Sequence, residues 1–292
     1  MVNSKDSKSI YYIGIIFVVL VWGAYPVFTK NLLKIYTPSL WDTAASLLSV
    51  TCLLLANRRK LKWLDWRHIK VALPTGLFFS AAGLTQKFGL TMTTPAMCAF
   101  LENLTCVCVP LLMLILAKQK FTLVKILAAL LCLGGVFVLC GGNLEGGLGP
   151  GVILCALAGV FYSVNIAGTG IYAKRLDTGL YLLIQFAVQF VVSATYSILF
   201  IKEPQFSFHP LHLGALAGTV LLSTVLCWII RTACLKKLDP SFIAVAMPFS
   251  SVVTGAISVL TGADTLSLAL IGGAVLIFAA IMISGLADSK QK

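Results

Sequence analysis

The sequence predicts an all-α polytopic membrane protein with ten transmembrane helices in two inverted five-helix repeats. Three observations carry this expectation. The 292 residues are 59% hydrophobic and 11% charged, with mean hydropathy +0.97, whereas a soluble domain carries about 25% charged residues. The apolar residues fall into long runs joined by short connections. The basic residues are sorted onto alternate connections.

Taken in order, the runs are 10–32, 38–56, 69–91, 95–117, 122–141, 149–173, 178–201, 211–235, 240–261 and 267–287. Each is of the length that crosses a hydrocarbon layer of about 30 Å as a helix. Helices alone satisfy their own backbone hydrogen bonds over that length without closing a barrel. The polar start, Met1 to Ser9, leads into an apolar run that lasts past Val27. That run is too long for the core of a secretory signal and shows no clear cleavage site, so it is expected to stay as the first span.

With the N-terminus in the cytoplasm, the inner segments are the loops near 57–68, 118–125, 174–177 and 236–239 and both tails. They hold every Lys and Arg except Lys30, Lys34 and Lys202 on outer loops and Lys87 and Arg231 within spans. This is the positive-inside pattern, and it predicts a multi-pass protein of the cell membrane with both termini cytoplasmic. It also accounts for the net charge of +12 without nucleic acid as a partner. Trp63 and Trp66, among basic residues of the longest inner loop, fit an interfacial anchor.

The remaining chemistry-bearing residues point away from an enzyme. The nine cysteines lie in or at the ends of apolar runs and form no CxxC or Cys/His pattern with zinc spacing, so they read as packing residues with no metal and no cofactor. His68, His209 and His212 sit at span edges. Gly141 to Gly147 lacks the Lys-Ser/Thr ending of a phosphate loop and reads as an outer hinge.

The repeat appears when the chain is slid against itself by 145 residues: Pro95 falls on Pro240, Thr122 on Ser267 and Leu123 on Leu268. Residues 1–145 and 146–292 then form two five-span units of one transmembrane domain. Five is odd, so the second unit inserts upside down, as in secondary transporters whose sites lie near the midplane between halves.

Gly83-Leu84-Thr85-Gln86-Lys87-Phe88-Gly89-Leu90, Ala99-Phe100-Leu101 and Val107-Cys108-Val109-Pro110-Leu111-Leu112, with Trp22-Gly23 and Leu235-Lys236-Lys237-Leu238-Asp239-Pro240, give the chain its likeness. It resembles the drug/metabolite transporter superfamily, the ten-span EamA-type transporters. The resemblance implies a central cavity lined by spans 1, 3, 4, 6, 8 and 9, with spans 5 and 10 peripheral. It also implies transport of amino acids, other metabolites, drugs or nucleotide-sugar-like compounds. The chain departs from the family pattern at Glu102, where small polar residues are usual, and at Lys87 and Arg231, where uncharged residues are. It lacks the first-span glutamate that the four-helix multidrug relatives use for proton exchange.

Glu102 is the principal candidate for the substrate site. It is the one deep carboxylate, without a companion His or Asp, and a charge mid-helix costs roughly 2.5–3.5 kcal/mol on insertion scales, which marks it as functional by default. Counted at 1.5 Å per residue, it lies roughly 10 Å from the outer end of its span and Lys87 roughly 6 Å from that of its antiparallel neighbour. Three arrangements follow: a Lys87–Glu102 salt bridge pinning the hairpin, a snorkelling Lys87 beside a packed, protonated Glu102, or a cavity-facing Glu102 that takes a substrate amine or a proton. Arg231 reads as snorkelling to inner headgroups or as a contact for an anionic group. Trp22, Tyr25, Tyr162 and Trp228 read as cavity aromatics or as ordinary membrane core. Asn165, Gln185 and Gln189 read as helix glue or ligands. Pro26, Pro74, Pro110 and Pro248 are expected to kink their spans.

The sequence therefore predicts a secondary transporter, not an enzyme, that moves a small amine-containing or zwitterionic, amino-acid-like metabolite by alternating access, with export the expected direction. Protons are a candidate second partner besides substrate and lipid, and the state is a monomer or homodimer. A proton-coupled carrier of organic cations or drugs, importing or exporting, and a non-transporting membrane scaffold are the alternatives.

Overall fold

The computed structural model describes residues 4–117, 123–139, 149–172, 176–235, 247 and 249–289. The expected hinge at Gly141 to Gly147, the helix start at Pro240, Pro248 and the basic residues of the 118–122, 173–175 and 236–239 connections lie outside these residues. Among the described residues the chain is helical and holds no strand.

The helices in order are α1 (Ser4–Leu32), α2 (Pro38–Asn57), α3 (Trp66–Met92), α4 (Pro95–Glu102), α5 (Thr105–Ala117), α6 (Leu123–Leu139), α7 (Pro150–Tyr172), α8 (Thr178–Phe200), α9 (Pro210–Thr219), α10 (Cys227–Leu235), α11 (Phe249–Leu260) and α12 (Leu268–Ser289). A 3₁₀ turn, Leu61–Trp63, precedes α3, and a π-helical stretch, Val220–Leu226, joins α9 to α10. Among the described residues, five stretches are long and apolar enough to cross a membrane: Ile10–Leu32, Pro38–Asn57, Pro150–Tyr172, Thr178–Phe200 and Pro210–Arg231. Phe249–Leu260 and Leu268–Ala280 are shorter apolar helices. Together they make a multi-pass membrane protein.

Local chemistry sets the starts of these helices. Proline opens α2, α4, α7 and α9, where its fixed φ suits the first turn and its missing amide costs nothing. Thr94 Oγ1 accepts from the Met97 amide, and Asp177 accepts from the amides of Gly179 and Leu180 at the head of α8. Pro26 and Pro74 do not interrupt their helices, since α1 and α3 run through both. The break in span 4 falls at Asn103–Leu104, well before Pro110, which lies inside α5.

The closest packings join a helix before residue 140 to one after residue 149: α3 with α7 and α8, α2 with α8, α6 with α12, α1 with α10 and α11, and α4 with α7 and α11. Small residues permit the approach. At Gly89 a β-carbon would stand 2.6 Å from Cys155 Sγ and 2.9 Å from the Gly151 carbonyl, so α3 and α7 meet nearly backbone to backbone, the usual device of helices packing in lipid.

The largest apolar cluster gathers Leu33, Tyr36, Trp41, Leu90, Cys98, Leu101, Val152, Cys155, Leu216 and Val220. These positions lie at the helix ends that the charge pattern assigns to the outer face. Tyr36 and Trp41 are almost wholly buried there. The Tyr36 hydroxyl donates to the Ser207 carbonyl at 3.2 Å, and the Thr37 amide to the Gln205 carbonyl at 2.9 Å. Ala45, packed in the same cluster, also lines the cavity.

Candidate functional site

Glu102 stands at the end of α4, where the helix stops for two residues and resumes as α5. The amides of Asn103 and Leu104 turn back to the carbonyls of Phe100 and Leu101, each at 3.1 Å, a tightening that takes them out of the regular i→i−4 ladder. The Ala99 carbonyl, whose regular donor would be the Asn103 amide, accepts from Ser251 Oγ of α11 at 3.0 Å. The Asn103 side-chain amide donates to the same Ser251 hydroxyl. A discontinuous helix inside a membrane is stable only where side chains or water replace the lost backbone bonds, and Ser251 and Asn103 do so here. The Glu102 carboxylate, placed at this break, favours a cation.

One oxygen of Glu102 is already held. Oε1 accepts from Gln86 Nε2 at 2.6 Å and from Cys98 Sγ at 3.2 Å, whereas Oε2 makes no hydrogen bond among the described residues. Gln86 Oε1 in turn accepts from the Tyr162 hydroxyl at 3.2 Å and lies 3.5 Å from Lys87 Nζ.

A salt bridge between Lys87 and Glu102, one of the three arrangements the sequence leaves open, does not form. Lys87 Nζ pairs with Asp42 Oδ1 of α2 at 2.9 Å, with both side chains nearly fully buried, at 6% and 1% exposed. The physical reason is the heading of the Lys87 stem: it points across α3 to α2, and Gln86, one residue earlier, takes the direction toward α4. Glu102 is therefore not the one deep carboxylate. Asp42 is a second one, deeper by exposure, and the depth count along the hairpin gave no sign of it.

Arg231 on α10 does not snorkel free. Its guanidinium carbon lies 5.1 Å from the ring centre of Trp228 and 5.8 Å from that of Trp22, within cation–π range of both. The two indoles are 5.7 Å apart, and Trp22 Nε1 donates to the Ser223 carbonyl in the π-helical stretch at 2.8 Å. Arg231 forms no ion pair among the described residues, and its Nε is buried without a partner.

Glu102, Trp22, Tyr25, Lys87, Tyr162, Trp228 and Arg231 all line one cavity of about 240 Å³. Phe79 bridges its two polar ends, with its ring 6.1 Å from that of Tyr162 and 5.5 Å from that of Trp228. Gln189 also lines it, beside Asp42, Gln86, Asn103 and Ser251, none of which sequence reasoning had marked as site residues except Gln189 as a mid-span amide. Asn165 does not line it. Its Nδ2 donates to the Thr75 carbonyl at 2.8 Å, in a polar knot where Gln185 Nε2 donates to Tyr181 at 2.9 Å and to Thr75 Oγ1 at 3.1 Å. Asn165 and Gln185 hold helices together. The π-helical widening of span 8 and the break in span 4 are the two backbone features that shape the cavity, and both were absent from the sequence reading.

A helix bundle with a buried polar and aromatic cavity between helices of its first and second halves is the architecture of a small-molecule membrane transporter. The profile of the EamA-like transporter family matches residues 9–141 and again 149–286. The chain belongs to this family of the drug/metabolite transporter superfamily. A solved structure described as "Crystal structure of protein" aligns over 97% of this chain and 99% of its own at TM-score 0.68 and 18% identity, a likeness of fold. No curated protein sequence matches the chain significantly.

Proposed function

We propose that the chain is a secondary transporter, not an enzyme, for a small zwitterionic, amino-acid-like metabolite, which it exports across the cell membrane by alternating access. Its ten spans form two inverted repeats, residues 1–145 and 146–292, with both termini cytoplasmic. The double family match and the packing of helices across the two halves support the repeat. In this reading Glu102 Oε2 takes the amine, and Arg231, steadied between Trp22 and Trp228, takes the carboxylate.

The observation that carries the reading is the state of the charges around one cavity. Lys87 is neutralised by Asp42, while Glu102 keeps an oxygen open and Arg231 has no carboxylate partner among the described residues. A ligand that brings one positive and one negative group completes both. The volume, about 240 Å³, lies below the roughly 300–1,000 Å³ of drug-sized pockets, so it favours a small metabolite over the organic-cation or drug alternative.

The test is a thermal-shift screen of the purified protein against amino acids, simple amines, simple carboxylates and nucleosides, repeated on Glu102→Gln and Arg231→Gln. A ligand at about 100 times its Kd adds about 2.7 kcal/mol of stability. Amino acids are expected to stabilise the wild type, amines and carboxylates much less, and each variant to lose the effect. A ligand that stabilises the wild type and Glu102→Gln equally overturns the assignment of Glu102. Amines that match amino acids in both the wild type and Arg231→Gln overturn the zwitterion.

A further inference from the structure

In the wall of the substrate cavity, three helices enclose a carboxyl oxygen that has no hydrogen-bond partner among the described residues. Asp42 on α2 is 1% exposed and its Oδ2 has no hydrogen-bond partner, although Oδ1 is paired with Lys87. A buried ion pair is tolerated when its remaining lone pairs are satisfied; here one oxygen is left over. The space around it is kept by a glycine. A β-carbon on Gly83 would stand 3.3 Å from Asp42 Oδ2, 3.0 Å from Gln189 Nε2 and 3.7 Å from Lys87 Nζ.

We infer that Asp42 Oδ2 is a proton-binding site and that the Asp42–Lys87 pair couples proton binding to the occupancy of Glu102. The coupling rests on the reading of Glu102 as the amine site. A metal cation does not suit Oδ2, because the Lys87 ammonium beside it repels one and too few oxygens converge there. A proton needs no coordination shell and no volume. The titratable and charged groups around the pair are Lys87 on α3, the Tyr25 phenol on α1, the Tyr162 phenol on α7 and the Glu102 carboxyl on α4, all of which line the cavity. The α8 wall contributes the uncharged Gln189, and the π-helical stretch contributes Ser223.

The step balances simply. A hydronium ion in the cavity gives its proton to Asp42 Oδ2 and leaves as water, so Asp42 becomes a neutral acid. Lys87 keeps its three protons and loses the charge that opposed it. Its other acceptors are the Gly83 carbonyl at 3.4 Å and Gln86 Oε1 at 3.5 Å, and the Gln86 amide already donates to Glu102. Asp42, Lys87 and Glu102 together carry one net negative charge before the step and none after it. The cluster thus accepts one added positive charge, either the proton at Asp42 or the substrate amine at Glu102, and binding of one disfavours the other.

The test needs no substrate. The full chain in lipid nanodiscs is taken from about pH 9 to about pH 5, a range that spans the neutral region between ordinary carboxyl and amine titrations, and the protonated-carboxyl C=O band is read by infrared difference in water and in heavy water. Among the described residues, Asp42 and Glu102 are the acidic residues that lie within the spans and line the cavity. The Glu102→Gln protein is expected to keep one carboxyl's worth of a deuterium-sensitive band that Asp42→Asn removes. No such band in Glu102→Gln makes Asp42–Lys87 a permanent ion pair and overturns the inference. A band kept in Asp42→Asn and lost in Glu102→Gln puts the proton on Glu102 and also overturns it. If Asp42→Asn does not fold, Asp42→Glu made in the Glu102→Gln protein replaces it: the band is expected to shift in frequency, and an unshifted band overturns the inference. Either outcome leaves the ligand screen standing, since that screen reads stabilisation at Glu102 and Arg231.

Discussion

Lys87→Gln removes one charge of the buried pair, and the structure fixes what should follow. At 2.9 Å two unit charges attract by about 6 kcal/mol at an effective dielectric of about 20. Desolvation offsets several kcal/mol for each ion, so the intact pair adds little net stability, yet removing one partner strands the other and costs about 3–5 kcal/mol. Asp42→Asn should cost a similar amount, and the Asp42→Asn/Lys87→Gln double variant should recover most of the loss, for a coupling energy on the order of 3 kcal/mol. The same cycle between Lys87→Gln and Glu102→Gln should give about 1 kcal/mol or less, the size of a weak neutral link through Gln86. Reversible unfolding in mixed micelles, followed by tryptophan fluorescence, measures both cycles. A coupling of Lys87 to Glu102 that exceeds its coupling to Asp42 would refute the pairing.

Two further changes probe the break in span 4 and the inner loops. Ser251→Ala leaves the Ala99 carbonyl and the Asn103 side-chain amide without their shared partner and should destabilise the protein by about 1–3 kcal/mol in the same unfolding measurement; an unchanged midpoint would show that the break does not depend on α11. Asp177 lies outside the spans, where partial burial raises its pKa but Lys60 at 3.0 Å and the amides of Leu180 and Gly179 outweigh this and hold it below the ordinary carboxylate range. A folded-state value below the unfolded one gives stability that is present above about pH 4 and is lost as pH falls through the folded value. Asp177→Asn should flatten that acid limb, and parallel stability curves for the two proteins below about pH 5 would contradict it.

How much of this was legible in the sequence depended on whether the signal was local. Glu102, Lys87 and Arg231 stood out because a charge in an apolar run is visible without any partner, and all three line the cavity. Asp42 carries the same chemistry but sits four residues after the helix-opening Pro38, between Trp41 and Thr43, where polar residues usually belong to the interface. Only the tertiary fold shows it enclosed by α3 and α8. Asp42 is not among the partners the sequence offers Lys87 for a related reason: counting depth along a hairpin compares two helices and is blind to a third. For Asn165, which the sequence leaves open as helix glue or ligand, the Thr75 carbonyl supplies a partner that only the fold reveals. The kinks were sought at prolines because proline lacks a backbone donor, but α1 and α3 absorb theirs. The real break comes at Glu102-Asn103-Leu104, where Asn103 and Ser251 supply substitutes for the lost ladder.

That substitute ties the site to the two halves of the molecule. The Ala99 carbonyl belongs to α4 and its donor, Ser251, to α11, so the end of α4 beside Glu102 is held by the other half of the chain. On the proposed transport reading, any movement of α11 relative to α4 releases the Ala99 carbonyl and the Asn103 amide next to the open oxygen of Glu102. Ala45 of the Tyr36 and Trp41 cluster also lines the cavity. Substrate binding at Glu102 and rearrangement of the halves therefore act on the same few backbone groups, which is what a carrier requires if opening toward one side is to depend on what the cavity holds.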